Sequence, residues 1–158
     1  MNEPEITSTS IKYQRRVAYH EAGHAVAAVR LNIPFMHVVV NGDTSSEVEV
    51  SVTPLDNEDG LQSSEEMRRW QQFYAAGAAS EQLLFGYYLP PASSRDRREH
   101  DEYEKRSHAP RVDGWYQDIA ATVAVLDRES VKLVARELKE RGRLEEDQVY
   151  EILHCDPP

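Results

Sequence analysis

The stretch Ala18-Tyr19-His20-Glu21-Ala22-Gly23-His24-Ala25-Val26 decides how this chain reads. On a helix, residues four apart stand one above the other, so His20 and His24 can aim imidazole nitrogens at one ion. Glu21, three before His24, lies on a neighbouring stripe, where its carboxylate can take a proton from water without binding the metal. From the chain's own content of histidine and glutamate, a chance His-Glu-x-x-His arises about one time in forty. The motif therefore has to be judged by its surroundings.

Those surroundings are helical. From about Ile11 to Leu31, Val17, His20, Ala28 and Leu31 recur at helical spacing, and Lys12, Arg15, Arg16 and Arg30 are free to face solvent. Asn32 and Pro34 end the pattern, since proline disfavours helix in the residue before it and has no N–H to give. Residues 1–10 are polar and rich in Ser and Thr, which predicts a flexible tail with Thr9 or Ser10 capping the helix. Residues 11–155 are expected to form one domain, as 158 residues hold a single core.

Beyond the motif helix, Met36 to Val40 is β-branched, and Val48, Val50 and Val52 alternate with Glu47, Glu49 and Ser51 around an Asn41-Gly42-Asp43 turn. This predicts a hairpin whose second strand borders a small sheet. Ser63 followed by Glu66 opens a helix running to about Phe85, with Met67, Trp70, Tyr74, Gly77 and Leu84 on its core face. Gly86 to Arg111 holds Pro90-Pro91, many charges and almost no apolar residue, which predicts a long mobile connection with a short helix inside. Helices follow over 115–126, 131–138 and 145–153, with Trp115, Ile119, Val123, Leu126, Val131, Val134 and Leu138 as core. The expected class is α+β and mainly α-helical: a zincin-like His-Glu-x-x-His helix, a small β-hairpin or sheet and a C-terminal helical bundle.

Charge and composition narrow the partners. Against 18 basic residues stand 28 acidic ones, a net charge of −10, so the chain's field repels phosphate backbones and anionic lipids. Neither nucleic acid nor a membrane is expected as partner. No apolar run approaches the roughly 20 residues of a membrane span, and the N-terminal residues lack the basic and apolar parts of a signal peptide. A cytoplasmic location is the expectation. Cys155, the single cysteine, can form no internal disulfide. No glycine-rich nucleotide loop is present.

Two histidines imply zinc, and a catalytic zinc takes three protein ligands and leaves a fourth position for water. Three acids compete for the third place. Glu81 falls on the apolar stripe of the second long helix, where an unpaired carboxylate is costly, and Asp96 and Asp101 lie in the charged connection. With Glu21 as general base, the reaction class is metal-assisted amide hydrolysis.

Read together, Ala18–Val26, the strand His37-Val38-Val39-Val40, Tyr74–Gly86 (YAAGAASEQLLFG), Ala92-Ser93-Ser94-Arg95-Asp96 and Val131–Leu153 resemble the peptidase domain of the FtsH family of ATP-dependent zinc proteases. The resemblance implies a zinc metallopeptidase with His20, His24 and Asp96 as ligands, Asp101 as the alternative third, Glu21 as base and Glu81 beside the ligands rather than on the metal. It also implies a substrate added as a strand to the sheet edge, with Val48 and Val50 as substrate-binding positions. The likeness covers the peptidase part alone, without the family's ATPase domain or membrane anchor. Expected substrates are therefore flexible or unfolded polypeptides, with an ATPase or adaptor acting in trans, and the family's rings make a homo-oligomer an expectation. The competing reading is a non-catalytic domain that keeps the peptidase fold for regulation or partner binding. Glu21 argues against it, since a binding module has little use for a base beside its metal.

Overall fold

The computed structural model describes residues 8–40, 47–49 and 63–158. Helix α1 (Ser8–Arg30) carries the motif and starts earlier than the polar N-terminal sequence predicts: Ser8, Thr9 and Ser10 are helical rather than tail. Serine and threonine are only modestly worse helix formers than alanine, so a long helix extends through them. The cap lies outside the described residues.

Small side chains set how closely α1 meets its neighbour. Ala18, Ala22, Ala25, Ala27 and Ala28 are buried on α1, and Ala75, Ala76, Ala78 and Ala79 on α2 (Ser64–Phe85). At Gly23 a methyl group would lie 2.4 Å from Ser80 Cβ and 2.7 Å from the Ala76 carbonyl, so only glycine permits this crossing. As the sequence predicts, α2 opens at Ser63, whose hydroxyl accepts from the Glu66 amide at 3.1 Å, and ends after Phe85. Gly86 closes it at φ 82°, in the left-handed region.

Strand β1 (His37–Val39) is the centre of a three-stranded antiparallel sheet, between β2 (Glu47–Glu49) and β3 (Arg143–Glu145). Val38 stands opposite both Val48 and Leu144. The sequence did not announce β3, because Arg-Leu-Glu is too short for an alternation signal and becomes a strand only through its pairing with β1. Among the described residues β2 is an outer strand, as expected. Val50 and the expected turn lie outside the described residues.

The connection over 86–111 departs most from its sequence reading. It is built from a 3-10 turn (Pro90–Ser93) and a 13-residue helix, α3 (Ser94–Arg106), not from a long mobile loop. The buried residues of α3 are His100, Tyr103 and Glu104, so hydrophobic periodicity is almost silent there. Polar pairing holds it instead. α4 (Gly114–Val125), α5 (Arg128–Arg141) and α6 (Glu146–Ile152) complete a mainly helical α+β domain. Trp115, Ile119, Leu126, Val131, Val134 and Leu138 are buried as predicted, and Val123 is partly so. Among the described residues no helix is long and apolar enough to cross a membrane.

Candidate metal centre

α1 and the first turn of α3 bring three ligand-type atoms together. His20 Nε2 lies 3.1 Å from Asp96 Oδ2, His24 Nε2 lies 3.2 Å from the same oxygen, and the two Nε2 atoms are 3.3 Å apart. Each imidazole is fixed from behind. His24 Nδ1 donates to the Phe73 carbonyl at 2.9 Å, and His20 Nδ1 donates to Glu81 Oε1 at 2.7 Å. A carbonyl and a carboxylate only accept, so both rings carry a hydrogen on Nδ1 and turn Nε2 inward, where it donates to Asp96 when the ring is protonated and offers a lone pair to a metal when it is neutral. Two imidazole nitrogens and a carboxylate oxygen thus face one another, an arrangement that protons on the rings or a metal cation among them stabilises. His20, His24 and Asp96 can hold a metal ion.

Titration follows the same physics. Burial opposes charging His20, yet hydrogen bonds to Asp96 and Glu81 and the charges of Asp96 and Glu21 raise its pKa well above the ordinary value. Burial likewise opposes charging His24, and the charge and hydrogen bond of Asp96 raise it nonetheless. Asp96 goes the other way: burial works upward, and the two histidines pull its carboxyl well below the usual range.

Gly77 explains how His20 fits. A methyl group at 77 would lie 2.2 Å from His20 Nε2 and 2.4 Å from Cε1, so the imidazole rests directly on the α2 backbone. Glu81, one turn further on, is fully buried. Its carboxylate accepts from His20, from Arg16 Nε at 2.6 Å and from the Leu89 amide at 3.0 Å. Burial raises its pKa, but the bond and charge of His20, the Leu89 amide and Arg16 together lower it. Glu21 is 6% exposed and close enough that its charge raises both histidines.

The other sequence candidates fall elsewhere. Asp101 has a half-exposed side chain, 3.9 Å from Arg97 and 3.4 Å from His100 Nδ1, and is not part of the three-ligand group. Val48 pairs through its backbone with Val38, and Val50 is not among the described residues.

Two features escaped the sequence reading. Arg16, expected to face solvent, has a side chain only 12% exposed and reaches Glu81. Its position four before His20 was the available signal, since that spacing shares a helix face. The second is a buried cluster of His100, Glu104 and Asp118. His100 Nε2 donates to Asp118 Oδ2 at 2.7 Å, while Arg111 donates to Asp118 and, at 2.9 Å, to Glu104. Gln71 and Arg68 also donate to Glu104. The guanidinium supplies the positive charge that these carboxylates need.

Comparison with known protein families and with curated proteins finds no match for this chain. What the fold and site define is a class: a mainly helical α+β domain with a buried His-His-carboxylate centre on a His-Glu-x-x-His helix.

Proposed function

We propose that the protein is a zinc metallopeptidase that hydrolyses peptide bonds in flexible or unfolded polypeptides. The observation that carries this reading is the set of ligand-atom separations, 3.1, 3.2 and 3.3 Å. Zinc bonds of about 2.0–2.1 Å at tetrahedral angles put neighbouring ligand atoms about 3.3–3.4 Å apart. Two imidazoles and one carboxylate are a zinc set, and three protein ligands leave a fourth place open, as catalysis requires. The resemblance to the FtsH peptidase domain points the same way.

Under this reading His20, His24 and Asp96 hold the ion, and Glu81 and the Phe73 carbonyl orient the imidazoles. Bound zinc supplies Lewis acidity, which brings the pKa of water down to about 7 and polarises a carbonyl. Glu21 takes the proton from the attacking water and returns it to the amide nitrogen as the C–N bond breaks, so the products are a carboxylic acid and an amine. Strand β2, paired within the described residues only to β1, offers its other edge to an extended peptide.

The test is cleavage of casein and of a quenched fluorescent peptide by zinc-loaded protein, compared with Glu21→Gln. Losing a general base lowers the rate about 10²–10⁴-fold. Equal rates for the two proteins, or no cleavage by either, would sink the enzymatic reading.

A further inference from the structure

Arg16 stands one helical turn before His20 on α1 and is drawn inward by four contacts to three residues. Its Nε donates to Glu81 Oε2 at 2.6 Å, and its Nη2 donates to the Tyr87 carbonyl at 2.8 Å. The guanidinium also lies over the rings of Phe85 and Tyr87, at 4.7 and 4.5 Å from their centroids. Glu81 divides its oxygens accordingly: Oε1 accepts from His20 Nδ1, and Oε2 accepts from Arg16 and from the Leu89 amide.

We infer that Arg16 is a positioning residue for the metal centre: it acts through Glu81 to orient His20, and it ties down the Phe85–Leu89 segment that leads to Asp96. The inference rests on the reading of His20, His24 and Asp96 as zinc ligands. Glu81 is fully buried, so its charge needs a counter-charge to stay in place beside the imidazole. Arginine suits the position because its planar fork sends Nε to the carboxylate and Nη2 to a carbonyl at once, and its face stacks on aromatic rings. A lysine ammonium has no such fork. Partners behind a ligating histidine typically change metal affinity 10–100-fold when removed. Arg16 stands one bond further out and connects the helix of two ligands with the segment that delivers the third.

A purely structural staple between α1 and the 85–89 segment would make the same contacts, and a double-mutant cycle on metal affinity separates the two. Zinc Kd is measured by chelator competition, and the visible spectrum of the cobalt-substituted protein reports ligand geometry. The full chain is used as wild type, Arg16→Met, Glu81→Gln and the double variant. Arg16→Met is expected to weaken zinc by about 10-fold or more and to shift the cobalt bands. In the Glu81→Gln background the same change is expected to matter less than about threefold, because the connection is already cut. Arg16→Met that binds within about twofold of wild type, or that loses as much affinity without Glu81 as with it, overturns the assignment. Should Arg16→Met fail to fold, Arg16→Lys passes through the same cycle: an effect confined to the Glu81 background supports the role, and an absent or background-independent effect overturns it. A wild type that binds no zinc brings down the metal-centre reading and this inference together, whereas normal zinc in every Arg16 variant brings down the inference alone.

Discussion

His20, His24 and Asp96 form one cluster, and His100, Glu104 and Asp118 another; both are histidine-carboxylate groups compact enough to share an ion. They differ in what already stands among the ligand atoms. In the first, both Nδ1 hydrogens are committed to outer acceptors, and three ligand-type atoms converge. In the second, the Arg111 guanidinium donates to both carboxylates, and Asp118 accepts from His100. Composition and proximity are alike in the two groups; what differs is the guanidinium that already stands among the carboxylates of the second.

The sharpest way to break this comparison is to count ions. Wild-type protein is expected to bind one zinc, measured by plasma mass spectrometry after desalting, and His24→Ala or Asp96→Ala none. His100→Ala and Asp118→Asn should keep their ion. Two ions in the wild type would erase the distinction.

Removing the internal cation comes next in size. Arg111→Met leaves buried Asp118 without its guanidinium and Glu104 with Arg68 alone, and breaking a buried pair from one side costs about 3–5 kcal/mol. Denaturant unfolding reads the loss. If the guanidinium alone separates the two clusters, added zinc should return part of that stability to Arg111→Met and none to Arg111→Met/Asp118→Asn. Gly77→Ala probes the first cluster without touching a ligand. The new methyl group must displace the His20 imidazole, and zinc affinity is expected to fall about 100-fold, as for lost orienting partners. Unchanged affinity would show that the ring can settle elsewhere.

The two clusters were unequally legible in the sequence. His20, Glu21 and His24 advertise themselves because helical spacing alone puts their side chains on adjoining stripes. Asp96 was a candidate by likeness of sequence, and α3 brings it to the histidines across more than seventy residues, which periodicity cannot foresee. α3 itself was misread: apart from Tyr103 it offers almost no apolar residue, so its helical character rests on pairs such as His100 with Asp118 and Glu104 with Arg111. Long-range polar pairing leaves no hydrophobic pattern. β3 was missed for a related reason, since three residues become a strand only against β1. Arg16 was read as solvated because arginine on a helix usually is, although its place one turn before His20 was visible. Apart from the start of α1 and the place of Arg16, α1 and α2 were legible as helices, because alanine, glycine and large apolar residues recur along them at helical spacing.

Acid should weaken the second cluster in a known window. Burial works to raise the Glu104 carboxyl, but hydrogen bonds from Arg111 and Gln71 hold its pKa at about 2 against an ordinary 4.5. Asp118 is lowered too, with burial opposed by bonds from His100 and Arg111. A depressed folded-state pKa gives stability that is complete above the unfolded value and is lost as pH falls through the folded one. Unfolding free energy should therefore decline from about pH 4.5 downward, and Glu104→Gln should show a shallower decline from a lower starting value. A parallel pair of curves would remove Glu104 from the account.

The smallest effect is expected at Asp101, and it tests where the first cluster ends. Asp101 follows Asp96 by five residues on α3, which turns it away from the face that meets α1. Its side chain is half-exposed and its ion pair with Arg97 is long, at 3.9 Å. Exposed pairs of this kind contribute about 0–1 kcal/mol. Asp101→Ala should thus keep one zinc with unchanged affinity and shift stability by less than about 0.5 kcal/mol. Loss of the ion in Asp101→Ala but not in Asp96→Ala would transfer the third ligand to Asp101 and require α3 to turn when metal binds, which the direct contacts of Asp96 with both histidines argue against.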